Sequence, residues 1–428
     1  MDPINRRTFL GTAGAVVAVP GAASFAGKSA NDRVRVAVVG LHSRGTEVAS
    51  EFARNTGAEV VAVCDIDDAN FAQAIKAVEK AGGKTPRTEK DFRKLLDDKE
   101  IDVVVNATPD HWHALIAVLA CQAGKDVYSE KPASHNVVEG RRMVEAARKY
   151  KRVVQLGTQR RSMDHVKEAI ELVHSGSLGT VGMARAWIHQ QRKPIGHGKP
   201  GPVPSGVDYA MWQGPALDRP FHANRFHYNW HWFWNWGTGE LGNNGIHGLD
   251  VARWGLGVEA PLTVSSGGGK FVFDDDQEVP DTQIVTWEFP KAALVWEHRM
   301  WSKHGIDGRG FGIAFYGDKG TLVLDEKGWN VEDPDGGKPA QPLAGKASNG
   351  VAAHVQNFLD CVQSRDKPNA DIEIGHLSTR LCHLGNIAHR VGRKLTFDAP
   401  REAFKDAPDA DKLLSREYSS RFEMPSQV

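Results

Sequence analysis

The chain has 428 residues, 41% of them hydrophobic and 25% charged, with Lys plus Arg equal to Asp plus Glu at 53 each. Those proportions belong to an ordinary globular protein, and the length is enough for about two domains. The balanced charge offers no basic excess for nucleic acid, and no run of about 18 apolar residues beyond the N-terminus marks a membrane-spanning helix.

Residues 5–21, NRRTFLGTAGAVVAVPG, place Arg6 and Arg7 ahead of a short Gly/Ala/Val run, with Ser24 and Ala26 as small residues beyond it. This charged, apolar, small-residue order reads as a twin-arginine export signal over 1–27. It predicts a periplasmic or extracytoplasmic protein that meets the export machinery already folded. The other reading is a disordered N-terminus that happens to hold two arginines.

RVRVAVVG (33–40) and AEVVAVCDID (58–67) are valine-rich runs of the kind found in strands buried on both faces, and TEVASEFAR between them has a helical pattern. The turn GLHSRG then stands where a phosphate-binding loop belongs, with Gly40 and Gly45 in the first and third glycine positions and His42 in the middle one. Asp65, 20 positions beyond Gly45 at a strand end, is placed to accept both ribose hydroxyls of an adenosine. Its charge repels a 2′-phosphate and so favours NAD over NADP. The alternative is a Rossmann-like domain that holds no nucleotide.

IDVVVNATPDHWHALIAVLACQAGKDVYSEKP (101–132) repeats the pattern as strand 101–107, helix 111–123 and strand 126–129. TPDHWH, with His111 and Trp112, and EKP, with Lys131, both fall at carboxyl ends of strands, where ligands sit in open α/β sheets. A lysine there can steady a developing alkoxide or relay its proton; otherwise it is a surface lysine. The first domain is expected over 33–150.

After residue 150 longer alternating stretches such as VGMARAWIHQ, TQIVTWEFP and AALVWEHRM predict a mostly antiparallel open sheet in an α+β domain over 151–400, with a tail over 401–428. Half of the residues from Phe221 to Trp236 are aromatic, with His222, His227 and His231 interleaved. This run reads as a carbohydrate-binding wall that includes Trp236, or as an aromatic core plug or subunit interface. No carboxylate spacing supports a metal site there. In NNGIHGLDVARW, His247 and Asp250 would share a helix face, so that the carboxylate could set the tautomer of the imidazole. Cys64, Cys121, Cys361 and Cys382 lack metal or redox spacing and are expected to be unpaired core residues.

The Rossmann start, TPDHWHALIAV and SEKP some twenty residues on together resemble the Gfo/Idh/MocA oxidoreductases, and the likeness continues to CHLGNIAHRVGRKL near the C-terminus. The resemblance implies an α/β fold: a doubly wound parallel N-terminal sheet, then a C-terminal α+β domain that covers substrate or forms an oligomer face. It makes Lys131 the catalytic lysine beside the nicotinamide and lays Thr108, Pro109 and His113 along the cofactor. Ser43, Arg44, Asp65 and Glu130 match further cofactor positions. Gln159 would touch the nicotinamide ribose, and Arg160 or Arg161 the substrate.

The family's D-x-G-x-H motif has its histidine at His247, in the proton-transfer role, but Asn243 stands in place of the aspartate. An amide is no base. The acid/base work therefore moves to His247 and Lys131, and Asn243 and Asn244 are left to bind substrate hydroxyls. The activity implied is NAD-dependent oxidation of a secondary alcohol of a sugar, glycoside or cyclitol, by a homo-oligomer. Export without a cofactor pool further implies tightly held, recycled NAD. Glycoside hydrolysis through transient oxidation, and a non-catalytic carbohydrate-binding module, are the alternatives.

Overall fold

In the computed structural model, which describes residues 33–332 and 350–428, the valine runs form the inner strands of a six-stranded sheet. Its strands are β1 (Val34–Val39), β2 (Ala58–Cys64), β3 (Arg87–Glu89), β4 (Val103–Asn106), β5 (Asp126–Ser129) and β6 (Val154–Leu156), in the order β3-β2-β1-β4-β5-β6. All neighbours run parallel, which requires crossover helices on both faces. Helices α1 (Arg44–Arg54) and α2 (Phe71–Lys80) bury Val48, Phe52 and Val78 on one face. On the other face α3 (Phe92–Asp97), α4 (Asp110–Gln122) and α5 (Val137–Lys149) bury Leu95, Ile116 and Met143. This is the doubly wound dinucleotide-binding order, whose ligand crevice opens where β1 and β4 diverge.

The second domain is built on a nine-stranded sheet. Its strands are β7 (Val181–His189), β8 (Thr263–Gly269), β9 (Thr282–Glu288), β10 (Ala293–Arg299), β11 (Phe311–Gly317), β12 (Gly320–Leu324), β13 (Trp329–Glu332), β14 (Leu395–Asp398) and β15 (Ala403–Phe404). The order is β13-β12-β11-β7-β10-β9-β8-β14-β15. β7 and β10 run parallel; the other pairings described are antiparallel. The predicted alternation is visible in β9 and β10, which turn Val285, Trp287, Leu294 and Trp296 inward while Ile284 faces out, 49% exposed. Among the helices of this half are α6 (Asp164–His174), α7 (Tyr209–Gln213), α8 (Ile246–Leu256), α9 (Gly350–Ser364) and α10 (Ile372–Val391). Leu249 of α8 and Leu381 and Leu384 of α10 pack on the inner face of the sheet.

The boundary expected at 150 falls one strand early, because β6 closes the parallel sheet. The chain also returns to the first domain near its end: Val355 and Phe358 of α9 join the core formed by β1 and α1. Phe422, in the segment expected to be a tail, stands edge-on to Trp112 at 5.0 Å. All four cysteines are free and buried, as expected. The twin-arginine segment lies outside the described residues.

Candidate active site

The crevice at the carboxyl ends of β1, β2, β4 and β5 opens into a cavity of about 280 Å³. Its phosphate end is the turn from Gly40 to Gly45 at the start of α1. Gly40 is left-handed (φ 85°), and a Cβ on it would lie 2.6 Å from the carbonyl oxygen of Ala107. A Cβ on Gly45 would lie 1.8 Å from that of Gly40. Both positions therefore demand glycine, and the helix start presents free N–H groups to an anion. Arg44 lines the cavity as well. Its Nη2 is buried with no partner among the described residues, a donor that a phosphate would satisfy.

At the other end Asp65 Oδ2 accepts from Leu41 N (2.7 Å), and Oδ1 accepts from Asp67 N (2.9 Å) and Asn70 Nδ2 (3.2 Å). Three of about four acceptor positions are thus taken within the chain, leaving about one, so that accepting both ribose hydroxyls needs local rearrangement. Burial raises the Asp65 carboxyl above its usual value, against the pull of these hydrogen bonds. Leu41, His42, Ser43, Thr108, Pro109 and Trp112 also line the cavity. A cradle that a Cβ would fill, an orphaned guanidinium donor and a ribose-side carboxylate together fit a dinucleotide.

Several expected cofactor contacts are braces instead. His113 spans two carbonyls, with Nδ1 2.6 Å from Pro132 O and Nε2 2.7 Å from Thr108 O, and so ties the end of β4 to the Lys131–Pro132 turn. Glu130 accepts from Arg44 Nε at 2.8 Å. Burial works against its charge, but Arg44 and Lys131 together outweigh burial and hold the carboxyl below its usual range. His111 is buried and its Nε2 meets Trp212 O at 2.9 Å, away from the cavity. Gln159 does not line the cavity; its Oε1 is buried without a partner among the described residues.

Lys131 enters the cavity from the end of β5. Its Nζ donates to Asn243 O (2.9 Å) and Asn243 Oδ1 (3.1 Å). Burial lowers its pKa, with Glu130, Asp110 and Glu240 pulling the other way. Asn243 lies in a π-helical turn, Leu241–Gly245, that leads into α8. Such turns recur at functional sites because they re-aim side chains.

The residue that sequence reasoning missed is Glu240. Fully buried, it accepts from Gln190 Nε2 (2.8 Å), Arg192 Nη2 (3.4 Å), Asn244 Nδ2 and Asn243 Nδ2 (3.5 Å). The lone carboxylate in GTGELGNN, one turn ahead of the missing aspartate, was the available signal. Asn243 and Asn244 are therefore engaged inside the chain, with Lys131 and Glu240.

His247 makes no hydrogen bond to a described residue, and its Nδ1 is buried. Burial, reinforced by the positive charges of Lys131 and Arg160, holds its pKa well below the usual histidine value. His247 does not line the cavity, and burial that disfavours its charged form makes the imidazole a weak base. Asp250 does not orient it. That carboxylate is fully buried, bonded to Arg161 and to Ser378 Oγ (2.6 Å). Sharing a helix face is only an opportunity, and the guanidinium is the stronger partner.

By the same contact Arg161 is a structural cation and not a substrate ligand. Arg160 instead lies over the Phe311 ring at 4.0 Å, with Glu326 at 3.3 Å, near His247. Trp236 does not form part of a carbohydrate-binding wall. It is fully buried in an aromatic plug with Trp212, Phe233 and Trp230, so it offers no face to a sugar. The part of the aromatic run that faces the cavity is His227, Tyr228, Trp230 and His231.

A family model described as an oxidoreductase family with an NAD-binding Rossmann fold matches residues 34–158, and the model of the same family's C-terminal alpha/beta domain matches residues 216–397. A "Glycosyl hydrolase family 109 protein" of Saccharopolyspora erythraea is 31% identical over 218 residues, 45% of this chain and 47% of that protein. An "Inositol 2-dehydrogenase 3" of the same organism is 37% identical over 159 residues, 37% of this chain and 45% of that protein. The chain thus spans about half the length of these curated relatives. Among solved structures, aldose-aldose oxidoreductase from Caulobacter crescentus superposes with a TM-score of 0.66 at 22% identity, covering 85% of this chain and 100% of that one. That likeness shows the fold.

Proposed function

The chain belongs to the Gfo/Idh/MocA oxidoreductase family, and on that premise we propose that it oxidises a secondary alcohol of a sugar, glycoside or cyclitol with resident NAD. The observation that carries the reading is Lys131, which lines the cavity with its Nζ held by both oxygens of Asn243. NAD, held by the Gly40–Gly45 turn, Arg44 and Asp65, supplies the hydride acceptor that alcohol oxidation needs. Lys131 donates a hydrogen bond to the substrate oxygen and stabilises the alkoxide as it develops. The hydroxyl proton leaves to Lys131 or His247. Asn243 keeps the ammonium aimed, and the buried Trp112 forms part of the cavity wall.

The inositol and aldose activities named for the relatives support the substrate class. The name of the hydrolase relative favours a second outcome of the same chemistry: transient oxidation of a ring carbon would acidify the neighbouring C–H and permit elimination of the glycosidic substituent, after which water adds and the hydride returns to the ketone, with no net redox change. Export through the twin-arginine signal at 1–27 and a homo-oligomer complete the proposal; an exported enzyme needs a cofactor that stays bound. The test is to incubate the purified chain with NAD and a panel of sugars, glycosides and myo-inositol. Reduced nicotinamide absorbance or glycoside cleavage should appear with at least one of them. A chain that binds NAD yet leaves the whole panel unchanged counts against the reading.

A further inference from the structure

The second domain reaches back over the dinucleotide cavity and is fastened there at three places. Asp208 N donates to Ile66 O (2.9 Å) and Asp68 N to Gly206 O (3.3 Å), while Lys90 Nζ also reaches Gly206 O (2.8 Å). Farther along, the Trp112 indole N–H lies 3.2 Å from both the Met211 and Trp212 carbonyls. Its ring sits so close to Gly214 that a Cβ there would come within 2.1 Å.

The third fastening is made of side chains. His227, in left-handed backbone (φ 63°), stacks on His42 with centroids 5.1 Å apart and planes inclined by 7°. Its Nε2 lies 2.7 Å from Asp67 Oδ2. His42 is the residue that replaces the middle glycine of the phosphate turn, and Asp67 follows the ribose carboxylate by two residues. A single imidazole of the second domain thus joins the two loops that must hold the two halves of an adenosine diphosphate. A non-glycine residue persists in that backbone region only where its surroundings hold it; the stack and the carboxylate do so here.

We propose that His227 completes the dinucleotide site from the second domain, clasping the phosphate turn at His42 to the ribose loop at Asp67 and making bound NAD(H) captive. The inference rests on the NAD reading above and gives the retained cofactor a physical device. With the clasp closed, the adenosine half leaves only after His42 and His227 part. The departure from glycine at His42 thereby gains a purpose, since a glycine offers no ring to stack.

The test uses the full chain loaded with NADH and passed through gel filtration, then chased with excess NAD while nicotinamide fluorescence is followed. Wild type should retain nucleotide and release it slowly. His227→Ala should release NADH about tenfold faster, the loss expected for one stacked contact and one charge-assisted hydrogen bond, and His42→Gly, which loses the stack alone, should release it faster than wild type by a smaller factor. His227→Asn, which tolerates left-handed backbone without the ring, carries the same expectation if the alanine variant misfolds. Equal release from wild type and folded variants overturns the clasp and leaves NAD binding standing. A wild-type chain that binds no NADH overturns both.

Discussion

Arg161 meets Asp250 in a two-point ion pair, Nε to Oδ2 at 2.7 Å and Nη2 to Oδ1 at 2.9 Å, with both side chains buried. The pair joins the start of the second domain to α8, and α10 is tied in through Ser378. Removing one partner strands the other charge in the core. Asp250→Asn or Arg161→Met should therefore destabilise the fold by about 3–5 kcal/mol, read as a lower thermal midpoint. Were Asp250 orienting His247, the variant would keep its midpoint and lose turnover instead.

Lys131→Ala should lower the oxidation rate by roughly 10²–10⁴-fold, the range for a lost acid/base group. NADH affinity, measured by fluorescence titration, should stay near wild type. A binding module would keep its sugar affinity and have no rate to lose.

Glu240→Gln should shift the pH dependence of that rate. Burial lowers the pKa of Lys131, and Glu240 is one of the carboxylates that raise it. Without that negative charge the ammonium is less favoured and deprotonates at lower pH. The limb of the pH–rate profile that reports Lys131 should move toward acid, and Glu240→Asp should restore much of its position. An unmoved limb would show that Glu240 acts on packing alone.

Gly45→Ala tests the phosphate turn. The added methyl collides with the backbone carbonyl of Gly40 at 1.8 Å, and no side-chain rotation relieves a backbone contact. NAD affinity by calorimetry should fall by more than the thermal midpoint of the NAD-free protein would suggest.

Cofactor release should also depend on pH. Burial, with help from His227, lowers the pKa of His42 below its usual 6.5; the carboxylates facing it, Asp65 and Asp67, oppose this in part. The clasped state thus prefers neutral His42, and opening restores its ordinary basicity. Retention should be full above pH 6.5 and weaken as the pH falls below it. The NADH release rate, followed in buffers across that range, should rise toward acid in wild type and stay flat in His42→Gly.

The parallel sheet could be read from short-range pattern because buried strands are continuous valine runs, and glycine and carboxylate spacing marked the ends of the crevice. Lys131 stood out by its place at a strand end. What stayed hidden depends on partners far along the chain. Asp250 and His247 have the right helical spacing, yet Arg161, 89 residues from Asp250, settles where that carboxylate points. Glu240 shows in sequence only as a lone carboxylate, because its role needs Gln190, Arg192 and Asn244 around it. Aromatic density between Phe221 and Trp236 was plain, but which rings plug the core and which roof the cavity is a matter of tertiary placement.

The return of α9 to the first domain bears on the order of events during synthesis. Val355 and Phe358 supply part of the core beneath β1, and Phe358 stands edge-on to Phe52 of α1 at 6.1 Å. A nascent chain paused before residue 350 therefore has the phosphate turn and the ribose loop on an unfinished base. The nucleotide-binding half thus lacks part of its hydrophobic core until α9 has been synthesised.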